Sequence, residues 1–247
     1  MRKILNLAGA GVLALLLIYQ GALMERYGHF RDSAPHETIV RYYQMMYANP
    51  GLFSLAWLGI PIVQNPNDVW MTQEIISETR PDFIIESGTA HGGSAAAWAM
   101  IQREVNPDGR VITIDIKNMK EGQPIPQGLQ SRIDFIIGSS TNPEIVEAIR
   151  SRIVGKRVMV ILDSLHTMAH VAGELELYSP MVNAGGYLIV QDTAFNGHPV
   201  FSSLQVGPGP WEAVQEFLAS HPQFKADRSR ERLVFTMHPY GYLRRIR

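Results

Sequence analysis

Phe83-Ile84-Ile85-Glu86-Ser87-Gly88-Thr89-Ala90-His91-Gly92-Gly93-Ser94 is the stretch on which the fold of this 247-residue chain turns. Three apolar residues end in an acid, a glycine-containing loop follows, and the small, apolar run 94–105 comes next. Such a sequence reads as a buried strand, a tight turn and a helix packed closely against a sheet. The same alternation continues downstream. Apolar runs at 110–116, 133–137, 158–162 and 187–190 read as strands, and 143–150, 168–178 and 211–219 as helices. A late strand is expected at 233–237, with 240–243 pairing beside it. Continuous apolar runs separated by helices specify an α/β domain: a Rossmann-like, doubly wound, mostly parallel sheet with helices on both faces. It is expected over 67–247.

Upstream of that stretch, Asp68 is expected to cap a helix that stops before Pro81. Residues 31–66 read as a lead-in, with a short helix at 38–47 and a loop at 57–66 broken by Gly59, Pro61 and Pro66. Residues 1–30 are different. Met1-Arg2-Lys3 precedes an uncharged run, 4–24, that would span about 30 Å as an N-terminal apolar helix. The length rule reads this as a membrane anchor. A cleaved signal and a buried N-terminal helix are the alternatives, although no small-x-small cleavage site precedes Glu25. Basic residues flank both sides (Arg2 and Lys3, then Arg26 and Arg31), so orientation stays open. A cytosolic cofactor supply favours a cytoplasmic catalytic domain, and the basic start alone favours an exported one.

Composition narrows the chemistry. The formal net charge of −1 gives no basic surface for nucleic acid. The absence of Cys excludes disulfides, thiolate nucleophiles and Cys-type zinc sites together, so a metal here needs oxygen or imidazole ligands. A homo-oligomer is compatible with the chain.

In parallel sheets ligands bind where strands end, so the residues after each strand are the ones to inspect. The loop after the first strand lacks GxGxxG and is followed by no GK[ST], which weakens dinucleotide and P-loop readings. Glu86, opening it, suits a ligand with a cationic amino group, and the helix N-terminus suits a carboxylate. S-adenosylmethionine carries both. A tight turn without ligand is the alternative. Asp115, 27 residues beyond Gly88, is placed to accept ribose hydroxyls, or else caps a turn. Gly138-Ser139-Ser140 lines an adenine, or Ser140 or Thr141 caps a helix.

Asp163 and Asp192 end neighbouring strands. Two carboxylates brought together call for a cation, and oxygen ligands suit Mg²⁺ or a similar divalent ion, which would orient a substrate hydroxyl and lower its pKa. The alternative is two capping aspartates. His166 beside them reads as a general base, an orienting group or a structural histidine. His170 lies one helical turn on, but no HExxH pattern supports zinc. Trp70, Trp98 and Trp211 at helical positions read as packing. Trp57 is placed to stand over a substrate, and Arg244, Arg245 and Arg247 as a solvated end able to meet anionic lipid or substrate.

The segments IIESGTAHGGSA, VITIDI, FIIGSS, VILDSLHT, YLIVQDT, GPWEAVQEF and PYGYLRR, in this order from about Trp57 to Arg245, resemble the cephalosporin hydroxylase/rhamnosyl O-methyltransferase family. The resemblance implies a class I S-adenosylmethionine-dependent methyltransferase acting on hydroxyls of sugars or antibiotic precursors, in some members with magnesium. It implies cofactor contacts from Glu86, Gly88, His91, Gly92, Ser94 and Asp115, and metal ligands Asp163 and Asp192 with position 191 as a third. The family pattern has Glu there, whereas this chain has Gln191, one negative charge fewer. The expected activity is O-methylation of a saccharide, glycolipid or related small molecule, with His166 and Asp163 at the reacting centre. A catalytically inactive, membrane-tethered nucleotide-binding scaffold and an NAD-dependent oxidoreductase are the competing accounts.

Overall fold

Strand alternation sorts the side chains of one sheet into two cores. The computed structural model describes residues 36–49, 51, 54–119, 121–198 and 207–247. In it, helix α1 (His36–Ala48) and a short hairpin, β1 (Ala56–Trp57) with β2 (Ile60–Pro61), precede α2 (Pro66–Thr79). The alternating units follow: β3 (Phe83–Ser87), α3 (Gly93–Val105), β4 (Arg110–Asp115), α4 (Gln127–Gln130), β5 (Ile133–Ile137), α5 (Pro143–Arg152), β6 (Val158–Leu162), α6 (Met168–Tyr178) and β7 (Tyr187–Val190). The chain ends with α7 (Pro210–Ser220), β8 (Phe224–Ala226) and β9 (Tyr242–Arg245).

The seven-stranded sheet runs β5-β4-β3-β6-β7-β9-β8. Strands β3 to β7 pair in parallel, while β9 is antiparallel to both β7 and β8. Ile85, Ile112, Val160 and Leu188 face one way and pack on Val146 and Ile149 of α5, Leu175 of α6 and Phe217 of α7. Ile84, Val111, Met159 and Ile189 face the other way and pack on Met71 and Ile75 of α2 and Ala95 to Ala99 of α3. Helices thus cover both faces. The chain leaves β3 toward β4 and β5, then returns to its other side for β6 and β7. That reversal opens a crevice beyond the strand ends.

Several expectations are corrected. Asn65 caps α2, accepting from Asn67 N with Pro66 in the first turn, whereas Asp68 is buried at 1% exposure and accepts from Thr236, Tyr242 and the Met237 N–H. Asn142, not Ser140 or Thr141, caps α5. Residues 233–237 form no strand: Phe235 is used in a stack on Tyr42 of α1, 3.7 Å between ring centroids, and the partner strand of β9 is instead β8. The loop 57–66 contains the second half of a hairpin, whose two-residue turn Leu58-Gly59 has φ of 53° and 84°. Trp70 is exposed and donates to Glu74, so it is not a packing residue.

The expected membrane association and its cytoplasmic or exported placement are also corrected. No helix among the described residues is long and apolar enough to cross a membrane. The longest of them, α2, has 14 residues, about 21 Å against the roughly 30 Å of a bilayer core. The N-terminal apolar helix on which that expectation rested, residues 1–30, lies outside the described residues.

Candidate active site

Three strand ends are stitched together at the crevice. Gly88 N donates to Ile114 O at 2.8 Å, and Asp163 N donates to Ser87 O at 2.9 Å, so hydrogen bonds tie the ends of β3, β4 and β6 to one another. Gly88 has φ +93°, and a Cβ there would sit 1.8 Å from the Asp163 carbonyl oxygen. Only glycine permits both the turn and the contact. Gly92, at φ +84°, is the N-cap of α3. Gly93 touches the hairpin, since a Cβ there would lie 2.3 Å from Pro61 O. The first turn of α3 therefore faces the crevice with N–H groups that have no intrahelical partner.

A cavity of about 530 Å³ occupies this crevice, within the range of small-molecule sites. Gly88, His91, Ser94, Asp115, Ser139 and Asp163, all singled out from the sequence, line it, together with Gln64 and Ser164. Asp115 accepts from Ala90 N at 2.9 Å and from Lys117 N at 3.0 Å, one bond on each carboxylate oxygen. Each oxygen keeps a further lone pair for a ligand.

Glu86 does not line the cavity. It lies beneath the loop at 1% exposure and accepts from Trp98 Nε1 at 2.9 Å and Thr113 Oγ1 at 2.6 Å. Burial pushes its carboxyl up to about 7, against the hydrogen bonds of Thr113, Ser94 and Trp98.

Past β6 and β7 three groups converge. His166 Nε2 stands 3.2 Å from Asp163 Oδ1 and 3.4 Å from Asp192 Oδ2, and the ligand atoms of all three lie within 4.8 Å of one another. Burial alone would lower the His166 pKa. The hydrogen bond to Asp163 and the charges of Asp192 and Asp163 outweigh it and raise the imidazole to about 9. Burial in turn raises Asp163, and raises Asp192 to about 6, against the pull of His166.

Gln191 is 2% exposed, and its Oε1 accepts from Gln64 Nε2 at 2.7 Å; the same nitrogen is 2.9 Å from Asp163 Oδ2. His170 turns away from this group. Its Nε2 faces Ser164 at 3.1 Å, Ser140 at 3.3 Å and the buried Glu174 at 3.5 Å. Burial would raise Glu174, but hydrogen bonds from His170, Ser140 and Ser164 hold it below its usual range. Gln64 and Glu174 escape the reading from sequence, because nothing local distinguishes a glutamine in a loop or an acid within a helix.

The family model described as Rhamnosyl O-methyltransferase/CmcI matches residues 51–246. The chain belongs to that family. It is 36% identical over 207 residues to the rhamnosyl O-methyltransferase of Mycobacterium tuberculosis, covering 82% of each chain. It is 35% identical to that of Mycobacterium leprae, over 82% of this chain and 88% of the other. As a family member it is an S-adenosylmethionine-dependent O-methyltransferase.

Solved structures of similar fold include the Mg-SAM form of CmcI-D160, with a TM-score of 0.60 at 20% identity over 79% of this chain and 78% of that one. The O-methyltransferase TomG from Streptomyces achromogenes, in complex with SAM, gives a TM-score of 0.52 at 17% identity over 73% and 75%. Within this rhamnosyl O-methyltransferase/CmcI member, Trp98 is fully buried and Trp211 is stacked on His198 at 4.7 Å, so both pack.

Proposed function

We propose that this chain transfers the methyl group of S-adenosylmethionine to a hydroxyl of a rhamnosyl or other glycosylated small molecule, with Asp163, His166 and Asp192 at the reacting end. The observation that carries this reading is the convergence of those three groups beside a crevice whose other wall is the Gly88–Gly93 loop and Asp115. In it, Asp115 accepts the ribose hydroxyls, the first turn of α3 with Ser94 receives the cofactor carboxylate, and Ser139 borders the adenine. Gly88 and Gly92 let the backbone approach. His91 lines the wall, and Glu86 supports the loop from beneath.

The acceptor oxygen forms a C–O bond as the C–S bond breaks, its electron pair remaining on sulfur, so the residues must align oxygen, carbon and sulfur. The hydroxyl proton leaves to the Asp163–Asp192 pair, because His166 keeps its own proton at neutral pH and acts by orienting the oxygen. Two half-buried carboxylates and one imidazole within 4.8 Å also fit a divalent cation. Asp163, His166 and Asp192 would hold it, His166 releasing its proton. Such an ion supplies Lewis acidity to a coordinated hydroxyl oxygen. Gln191 Oε1 accepts from Gln64 and keeps a second lone pair with which it would join.

The test is methyl transfer to rhamnosides with and without Mg²⁺ or Mn²⁺, for the native chain and Asp163→Asn combined with Asp192→Asn. Changing residues that merely support metal ligands costs about 10- to 100-fold, so loss of both carboxylates should cost about 100-fold or more. Full activity in the double variant would reduce these aspartates to caps.

A further inference from the structure

The ending His238-Pro239-Tyr240-Gly241 has no part in the cofactor crevice, yet it grips the turn that carries Asp192. Asp192 has φ +57°, a left-handed conformation that, glycine apart, chiefly Asn and Asp adopt. Four contacts stitch this turn to the C-terminal segment. Val190 N donates to Gly241 O at 2.8 Å, Ala194 N to Met237 O at 3.0 Å, Thr193 Oγ1 to Pro239 O at 2.6 Å, and Asp192 N to His238 Nδ1 at 3.0 Å. The last is the only one made by a side chain of that segment.

His238 is 2% exposed. With Nδ1 accepting, the neutral ring carries its proton on Nε2, which makes no hydrogen bond among the described residues and stands 3.7 Å from Oδ2 of the buried Asp68. Asp68 accepts from Met237 N and Tyr242 Oη, both at 2.8 Å, so α2 anchors the segment that presents the ring. Gly241 allows the close approach: a Cβ there would lie 2.2 Å from Val190 O.

We infer that His238 is a positioning residue, whose Nδ1 fixes the left-handed turn at Asp192 and so aims that carboxylate at His166. The inference rests on the proposed reacting centre. Outer partners of this kind typically contribute 10- to 100-fold in activity or metal affinity.

The test compares His238→Leu with His238→Asn, whose amide oxygen falls near the place of Nδ1. His238→Leu should lower kcat about 10- to 100-fold and weaken Mn²⁺ binding by calorimetry about tenfold, with S-adenosylmethionine affinity within about twofold. His238→Asn should recover most of both losses. Equal behaviour of the two variants, whether both active or both impaired, overturns the inference. Should His238→Leu fail to fold, His238→Gln, whose amide reaches past the Nδ1 place, stands in for it.

Nitrogen-15 spectra of the native chain give a readout independent of turnover. They should show His238 protonated on Nε2 and bare on Nδ1, and the opposite tautomer sinks the assignment. A native chain with this tautomer and His238-dependent Mn²⁺ binding, but no transfer to any rhamnoside, would refute the acceptor reading and leave this one standing.

Discussion

Replacing Glu86 by Gln isolates the cost of the buried acid beneath the glycine loop. A folded-state pKa raised from 4.5 to about 7, at about 1.36 kcal/mol per pH unit, is worth about 3 kcal/mol. The sign follows from proton counting. Below pH 4.5 both states carry the proton and the acid is neutral to stability. Between 4.5 and about 7 the unfolded chain ionises while the folded one keeps its proton, so stability falls as pH rises. Above 7 the full penalty stands. Glutamine cannot ionise but keeps the geometry. Its oxygen accepts from Trp98, and its amide donates to Thr113, whose hydroxyl is free to turn toward Thr89 at 2.7 Å. Denaturant unfolding of both chains at pH 4.5, 6 and 7.5 should show the variant gaining about 3 kcal/mol relative to the native chain across that range. Parallel stability profiles would mean that Glu86 ionises as an ordinary acid, and the buried-proton argument would be wrong. The same pair of proteins should bind S-adenosylmethionine within a few-fold at pH 8. A loss beyond tenfold would restore Glu86 as a direct contact to the cofactor.

Two further outcomes follow from the crevice. Asp115→Ala should weaken S-adenosylmethionine binding by about 1–3 kcal/mol in calorimetry, the value of two hydrogen bonds at about 0.5–1.5 kcal/mol each, and unchanged affinity would reject the ribose role. Gly88→Ala should destabilise the fold by about 2–5 kcal/mol, because a Cβ at φ +93° meets the Asp163 carbonyl at 1.8 Å; a melting temperature equal to the native one would show that the two strand ends are not in contact.

The parallel sheet was legible because its signal is local. Runs such as Val158–Leu162 and Tyr187–Val190 are apolar throughout, as strands buried on both faces must be, and their ends are the strand ends observed. The antiparallel edge was not. Phe224–Ala226 has three residues and one deeply buried side chain, too little for periodicity to register. At 233–237 the apolar residues are real but serve α1, a partner nearly two hundred residues away. The approach of Asp163 and Asp192 follows from strand adjacency, which the alternation of elements implies. The groups behind them have no such rule. Asp68 reads as a cap by position alone, and its burial against Thr236 and Tyr242 is a tertiary fact. Gln64 and His238 reach the site from segments far apart in the chain, and only the folded chain brings them together.

Gln191 shows how these parts act on one another. A third carboxylate beside Asp163 and Asp192 would join two acids whose pKa values burial already raises. Gln191 avoids that repulsion, and its link through Gln64 to Asp163 satisfies buried polar atoms without adding charge. Two carboxylates and an imidazolium then sum to −1. Exchange of the imidazolium proton for a divalent ion brings the sum to 0, where a glutamate at 191 would leave −1. The amide would therefore hold a cation more weakly than a glutamate and leave it a stronger Lewis acid toward a substrate hydroxyl. Affinity for such an ion and its strength as a Lewis acid would trade against each other here. The departure from the family pattern would thus shift that balance rather than remove the chemistry.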